Sequence, residues 1–346
     1  MRIGTVCYAT RQGLGTLAKS FYDGGLVTDV AIFRHSKYQT MSHWYPPDTL
    51  ELVNLPFNGP KVDAWLAQLD WVLFFETPWD FTFPNYCRAR GKKTAIVPMY
   101  EWWRTDQDSR HRYDKILAPS VLDQALIPGS VFLQIPVSGQ TWHQRTTAQR
   151  FLHNAGHIGF HEHKGTRQIL QAMRLVQKSV NMTVRCQPEA GPSFQKMCDD
   201  EGYSREVTMM PETGATVTLK VGEFAGPGLY GPEFDVFVMA EKYNGLSLPL
   251  AEARASGMLV VTSDRHPMNT WLPREPLIPV AGYYRSRVGP PYLEFDEARV
   301  DPVDIAAKLD SLYGADISEY SQGGKAWAEA NSWGKLLPAW REEFGR

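Results

Sequence analysis

The chain has 346 residues, 43% of them hydrophobic and 21% charged, with a formal net charge of −2. That length suits two domains better than a single core, and the near-neutral balance excludes a global electrostatic pull towards nucleic acid or an anionic membrane. No segment reaches the roughly 18 consecutive apolar residues of a membrane span, and the opening MRIGTVCYATRQGLG lacks the apolar core and cleavage pattern of a signal peptide.

In chain order, residues 2–9 read as a buried strand, followed by Gly13-Leu14-Gly15 and a helix-like run over 16–25. Residues 29–34 are the next strand; 62–69 read as a helix and 70–75 as a strand; 84–90 as a helix and 94–98 as a strand. Short apolar runs at 115–118 and 131–135 complete the first half. Strands alternating with helices predict an α/β fold with a doubly wound parallel sheet. The polar stretch 136–150 suits a hinge, and the pattern then restarts. Residues 150–156 form a strand, 166–178 a helix with Ile169, Leu170, Met173 and Val176 on one face, and 182–186 and 217–221 further strands.

The most informative segment is 235–267. An apolar strand, 236–239, gives way to a polar turn holding Asn244 and Gly245, then to a helix that stops at Gly257 and a second strand, 259–262. This is a βαβ unit of a parallel sheet, and the turn at the carboxyl end of its first strand is where such sheets bind ligands. The tail over 325–344 is amphipathic and predicts a terminal helix that packs back on the first domain. The expected boundaries are 1–145, 146–322 and 323–346.

Cys7, Cys87, Cys186 and Cys198 lack paired metal-ligand spacing and read as free thiols in a reducing compartment. The expected location is cytoplasmic (host cytoplasm for a viral source), with no integral membrane association. The histidines at 153, 157, 161 and 163 suggest a metal site, but Gly156 and Gly159 interrupt any helix that would stack them. No metal is expected, and His157 reads as a loop residue turned towards phosphate.

Two runs make the chain resemble the retaining GT-B glycosyltransferases of family four. That group carries two glutamates at fixed spacing around a Gly-x-Gly-Leu-Pro-type turn; here the run is Asn244-Gly245-Leu246-Ser247-Leu248-Pro249-Leu250-Ala251-Glu252. The second glutamate is present as Glu252, whereas Asn244 replaces the first; the resemblance implies that this position is catalytic and touches the donor sugar's hydroxyls, where Asn244 can hydrogen-bond but carries no charge. The run Ala155-Gly156-His157 with Lys164-Gly165-Thr166 is similar to the element whose arginine and lysine hold the donor diphosphate; Lys164 is kept and His157 stands in place of the arginine. Gly13 and Gly15 resemble the loop that approaches the donor phosphate from the other domain.

The resemblance implies two Rossmann-like domains facing across a cleft. It also implies transfer of a hexose with retention, from a nucleotide diphosphate sugar of UDP-glucose type to a hydroxyl acceptor, without cofactor or divalent metal. A relative that binds nucleotide sugar or a partner without transfer is the alternative raised by the two replacements.

The residue types fit this chemistry. Helix amino termini with glycines offer N–H donors to phosphate, and Gly245, Leu246 and Ser247 precede such a helix. Lys164 supplies a point charge for a departing diphosphate, and Glu252 can accept from a ribose diol. Each also has a plainer reading: Glu252 as a first-turn carboxylate, Lys164 as a solvated lysine, Gly13 and Gly15 as a tight turn. Glu101, after the strand 94–98, is the candidate catalytic residue of the first half or else a structural carboxylate; Glu76 is a weaker candidate of the same kind. Trp79, Trp102 and Trp103 interleave with Arg88, Arg90, Lys92, Lys93, Arg104, Arg110 and Arg112. That run reads either as a core with its solvated rim or as a surface for a hydroxymethylated DNA base.

Overall fold

Apolar runs rich in β-branched and aromatic residues, bounded by glycine, proline and aspartate, become strands buried on both faces in the computed structural model of the chain. The structure describes residues 1–34, 39–103, 112–137, 139–156, 162–222, 224, 229–288 and 293–345. The chain divides into two units, Met1–Ser138 with Asn331–Arg346, and Gly139–Ala330.

The first unit contains β1 (Ile3–Cys7), α1 (Gly13–Asp23), β2 (Asp29–Phe33), β3 (Leu50–Leu52), α2 (Pro60–Ala67), β4 (Trp71–Glu76), α3 (Phe83–Ala89), β5 (Lys93–Pro98), β6 (Lys115–Ala118), α4 (Val121–Leu126) and β7 (Val131–Phe132). Its sheet runs β3-β2-β1-β4-β5-β6-β7 with every pairing parallel. The strand order reverses at β1, between β2 and β4, which is the ligand-binding point of such sheets.

The second unit contains β8 (Arg150–Gly156), α5 (Thr166–Met173), β9 (Asn181–Cys186), α6 (Gly191–Asp200), β10 (Val207–Met209), β11 (Thr216–Val221), β12 (Val236–Met239), α7 (Leu248–Ala255), β13 (Leu259–Thr262), a β14–β15 hairpin (Gly282–Val288 and Leu293–Arg299), α8 (Pro302–Leu312) and α9 (Ser318–Ala330). The sheet order is β10-β11-β9-β8-β12-β13, parallel except at the β10 edge. Side chains of β12 alternate between two cores. Val236 and Val238 join Phe151, Val184 and Leu309 on one face; Phe237 and Met239 join Leu152, Leu250 and Ala253 on the other. Each such side chain contributes about 1.5–3 kcal/mol by leaving water, so the carboxyl ends of β8 and β12 are held by both layers. The fold is α/β with two Rossmann-like parallel sheets, as expected from the alternating pattern.

The tail is two helices, not one. α9 ends at Ala330 and α10 spans Trp333–Gly345, with Asn331 and Ser332 between them. Trp327 stays in the second unit, stacked on Trp271 at 5.2 Å. Trp333 and Trp340 both meet Phe21 edge-on at 4.9 Å, and their indole N–H groups donate to Ser20 Oγ and the Gln134 carbonyl. The chain therefore returns to the first unit at residue 331 rather than 323, and leaves it at 138 rather than 145. The helix expected over 166–178 ends early, because Arg174 caps it and a turn follows.

Candidate functional site

In the second unit the strand order reverses at β8, which lies between β9 and β12. Gly156 closes β8 with φ +61, and a Cβ there would lie 2.3 Å from Lys164 Nζ. Only glycine leaves room for the ammonium at this strand end. The next residue of that loop, Gly165, has φ +68 and passes so close to β12 that a Cβ would sit 2.2 Å from the Ala240 carbonyl oxygen. Lys164 is half-buried, and no described acidic residue pairs with it. Burial lowers its pKa, opposed by the charges of Glu241 and Cys186. A desolvated ammonium that forms no ion pair with a described residue is a ready partner for an anion.

His153 fixes this corner. Its Nδ1 lies 2.8 Å from the Val238 carbonyl oxygen and its Nε2 2.9 Å from Thr166 Oγ1. A carbonyl only accepts, so Nδ1 carries the proton and Nε2 accepts from the threonine hydroxyl. Burial pushes the pKa of His153 down to about 4, in keeping with a neutral ring. His153 thus ties β8 to β12 and to the start of α5, and both its ring nitrogens are committed. Among the described residues no group of His, Cys, Asp or Glu is arranged to hold a metal ion. His157 and His161 lie outside the described residues.

The turn between β12 and α7 is organised from within. Asn244 Oδ1 accepts from the amides of both Leu246 and Ser247 at 3.0 Å. Asn244 Nδ2 donates to Glu241 Oε1 at 2.9 Å, and Ser247 Oγ donates to the same oxygen at 2.9 Å. This corrects one expectation: the Leu246 and Ser247 amides face Asn244 rather than standing open to phosphate, because a carboxamide oxygen two residues back reaches them first. Ser247 also adopts a left-handed conformation, φ 47, at the start of α7. Gly245 is buried in the turn.

Glu241 was missed from the sequence. It is wholly buried at the carboxyl end of β12, with Arg265 Nη1 3.8 Å from its Oε2. Burial raises its pKa, against Arg265, the Ser247 and Asn244 hydrogen bonds, and Lys164. The available signal was an acidic residue directly after an apolar parallel strand, where ligand-facing residues belong.

Glu252, on α7, is half-buried, and its Oε2 accepts from the Tyr230 hydroxyl at 3.0 Å. Burial raises its pKa to about 7, and the Tyr230 hydrogen bond acts the other way. Glu252 stands in the second turn of α7, so the first-turn macrodipole reading does not describe it.

In the first unit, Gly13 and Gly15 form the opening turn of α1, and neither has positive φ. Gly15 is required by close approach, since a Cβ would lie 2.1 Å from the Thr10 carbonyl oxygen, whereas Gly13 faces open space. Glu76 ends β4 with φ 60, and Thr77 N donates to the Phe75 carbonyl at 2.7 Å across it. This is the strained γ-turn geometry that is rare for a non-glycine residue. Glu101 is buried in the turn after β5. Burial, and then the Glu101 charge, raise the Glu76 pKa to about 8. The two carboxyls thus belong to one electrostatic cluster at adjacent strand ends.

The aromatic and basic run is largely committed internally. Trp79 packs on Tyr8 at 4.2 Å. Arg90 pairs with Asp63 above the Tyr86 ring, Lys92 donates to the Leu69 carbonyl, Arg112 to that of Phe81, and Lys93 lies over Trp71. Arg104 and Arg110 lie outside the described residues. No helix among the described residues is long and apolar enough to cross a membrane. All four cysteines are free and buried.

The fold, with two Rossmann-like parallel sheets, is of the GT-B type. The chain is similar to the Anabaena protein Alr3699/HepE, solved with UDP and glucose, with a TM-score of 0.68 at 9% identity, over 100% of this chain and 99% of that one. It is similar to the lipopolysaccharide outer core galactosyltransferase WaaB, with a TM-score of 0.58 at 12% identity, over 99% and 100%. TarM matches with a TM-score of 0.56 at 12% identity over 80% of this chain, which spans only 55% of TarM. At these identities the likeness is one of fold. No protein-family model and no curated protein sequence matches the chain.

Proposed function

We propose that the chain is a retaining glycosyltransferase of family-four type that moves a hexose from a UDP-sugar to a hydroxyl acceptor. The observation that carries this reading is the second unit's reversal point. There the Lys164 ammonium, which pairs with no described acidic residue, lies against Gly156 at the end of β8, on the same sheet edge as the turn that leads to Glu252. Lys164 meets the diphosphate and stabilises the charge that grows on it as the glycosidic bond breaks. Glu252 accepts from the ribose diol through the carboxylate oxygen not given to Tyr230. His157 remains the residue that would assist Lys164, and Gly13 and Gly15 remain candidates for binding the donor phosphate. With retention, the acceptor attacks the face the diphosphate leaves, and a donor phosphate oxygen takes its proton. We take transfer to need no divalent metal, and the buried thiols suit a cytoplasmic setting.

HepE, WaaB and GtfA are solved as sugar-handling proteins, with UDP and glucose, as a galactosyltransferase, and with UDP and GlcNAc. We take a sugar hydroxyl as the first acceptor to test and a hydroxymethylated DNA base as the second, since Arg90, Lys92, Lys93 and Arg112 of the aromatic and basic run already have partners. The test is mass-spectrometric turnover of UDP-glucose, UDP-galactose and UDP-N-acetylglucosamine against both acceptor types, with and without EDTA. Lys164→Ala is expected to lower kcat by about 10²–10³-fold, the scale of losing one preorganised donor to developing charge. A folded Lys164→Ala protein with wild-type turnover refutes the assignment. The second reading, nucleotide-sugar binding without transfer, is favoured by the two turn amides already spent on Asn244. UDP binding without turnover in the wild type selects it.

A further inference from the structure

Three residues around the β12–α7 turn interlock. Glu241 Oε1 receives both Asn244 Nδ2 and Ser247 Oγ, and Asn244 Oδ1 receives the Leu246 and Ser247 amides. The orientation of the Asn244 carboxamide is therefore unambiguous: flipped, it would set an NH2 against two N–H donors and an oxygen against a carboxyl oxygen. Glu241 is wholly buried, so it touches no ligand itself. Its other oxygen, Oε2, has no hydrogen-bond partner among the described residues and lies 3.8 Å from Arg265 Nη1. A carboxyl group left so poorly satisfied in the core is costly to keep, and its one well-made set of contacts is to the turn. Asn244 is half-buried. Its oxygen is fully engaged, one Nδ2 hydrogen is held by Glu241, and no described residue accepts the second.

We propose that Glu241 is a positioning residue that sets donor-sugar selectivity through Asn244, holding its carboxamide so that it presents an N–H donor, and no acceptor, to the sugar. The inference rests on the glycosyltransferase reading of this site. A sugar with an oxygen lone pair at that point is taken; one whose hydroxyl there needs an acceptor is disfavoured. Glu241 accepts the hydrogen bond that fixes the amide, and Ser247 shares the same oxygen and locks the turn behind it.

The test is a double-mutant cycle on the full chain, reading kcat/KM for UDP-glucose, UDP-galactose and UDP-N-acetylglucosamine. Glu241→Met and Asn244→Ala are each expected to lower kcat/KM for the preferred sugar by about tenfold, the scale of one hydrogen bond to a charged group. Both should also change the ratio between sugars by more than about threefold, and the double variant should lose no more than either single one, because Glu241 acts through Asn244. Glu241→Gln, which keeps an accepting oxygen, should restore the wild-type ratio. Loss of folded protein alone would scale all sugars equally and leave the ratios unchanged. The inference is overturned by a folded Glu241→Met with wild-type ratios, or by losses that multiply in the double variant. Should Glu241→Met not fold, an Asn244→Ala protein with wild-type ratios overturns it equally. A wild-type protein that binds neither UDP nor any of these sugars overturns the functional reading first, before any variant is made.

Discussion

Ser247 lets the local energetics of the turn be measured directly. Its φ of 47 and ψ of 64 are left-handed, which costs an L residue about 1–2 kcal/mol relative to ordinary backbone. Against this stands the Ser247 Oγ bond to Glu241 at 2.9 Å, of a kind worth about 1.5–3 kcal/mol. Ser247→Ala keeps the strain and loses the bond, so it should destabilise by about 2 kcal/mol. Ser247→Gly loses the same bond but relieves the strain, less about 0.5–1 kcal/mol of glycine's extra chain entropy. The glycine variant should therefore be the more stable of the two by roughly 0.5–1 kcal/mol. Urea unfolding followed by circular dichroism gives both values. An alanine variant as stable as wild type removes the hydrogen bond from the argument. Glycine less stable than alanine removes the strain.

Other positions give independent checks. Gly165→Ala sets a Cβ 2.2 Å from a backbone carbonyl at φ +68, so it should destabilise by about 2–4 kcal/mol in thermal unfolding; a neutral result refutes the close approach of this loop to β12. Glu252 accepts from a diol only when ionised, and burial holds its pKa at about 7. UDP affinity measured calorimetrically should therefore strengthen as pH rises through 7, and Glu252→Gln should bind weakly with no such slope. A wild-type affinity that is flat between pH 6 and 8 counts against Glu252 as the ribose ligand. Glu76 has a folded pKa near 8, raised by burial and Glu101. It binds more protons folded than unfolded, so its contribution falls as pH rises from about 4.5, its unfolded value, to 8. Glu76→Gln should flatten that part of the stability profile, and an unchanged profile would show that Glu76 is not held protonated.

The strands were legible because parallel sheets demand continuous apolar runs. The predicted 150–156, 236–239 and 259–262 match β8, β12 and β13 to the residue. The first sheet reads almost as well, since 115–118 is β6 and 29–34 overshoots β2 by one residue. What the pattern could not carry was structure made by contacts remote in sequence. The β14–β15 hairpin and the β10 edge strand are too polar and exposed to announce themselves. The split of the tail depends on which rings Trp327 and Trp333 meet, not on their spacing along one amphipathic face.

The site shows the same division more sharply. Lys164, Gly165 and Glu252 were legible as candidates from local sequence because they lie just before or within a helix that follows an apolar strand. Asn244 was legible only as a substitution, since its meaning lies in what its two polar ends touch. Once Glu241 is placed beneath the turn, three departures from the expected motif cease to be separate. A serine stands where glycine would ease the left-handed backbone, an asparagine stands where a carboxylate is expected, and a buried carboxyl three residues earlier accepts from both. Removing Glu241 alone leaves both the Asn244 Nδ2 group and the Ser247 hydroxyl without their acceptor. The trio should therefore vary together or not at all, and a carboxylate restored at 244 alone would meet Glu241 Oε1 as a like charge rather than as a donor.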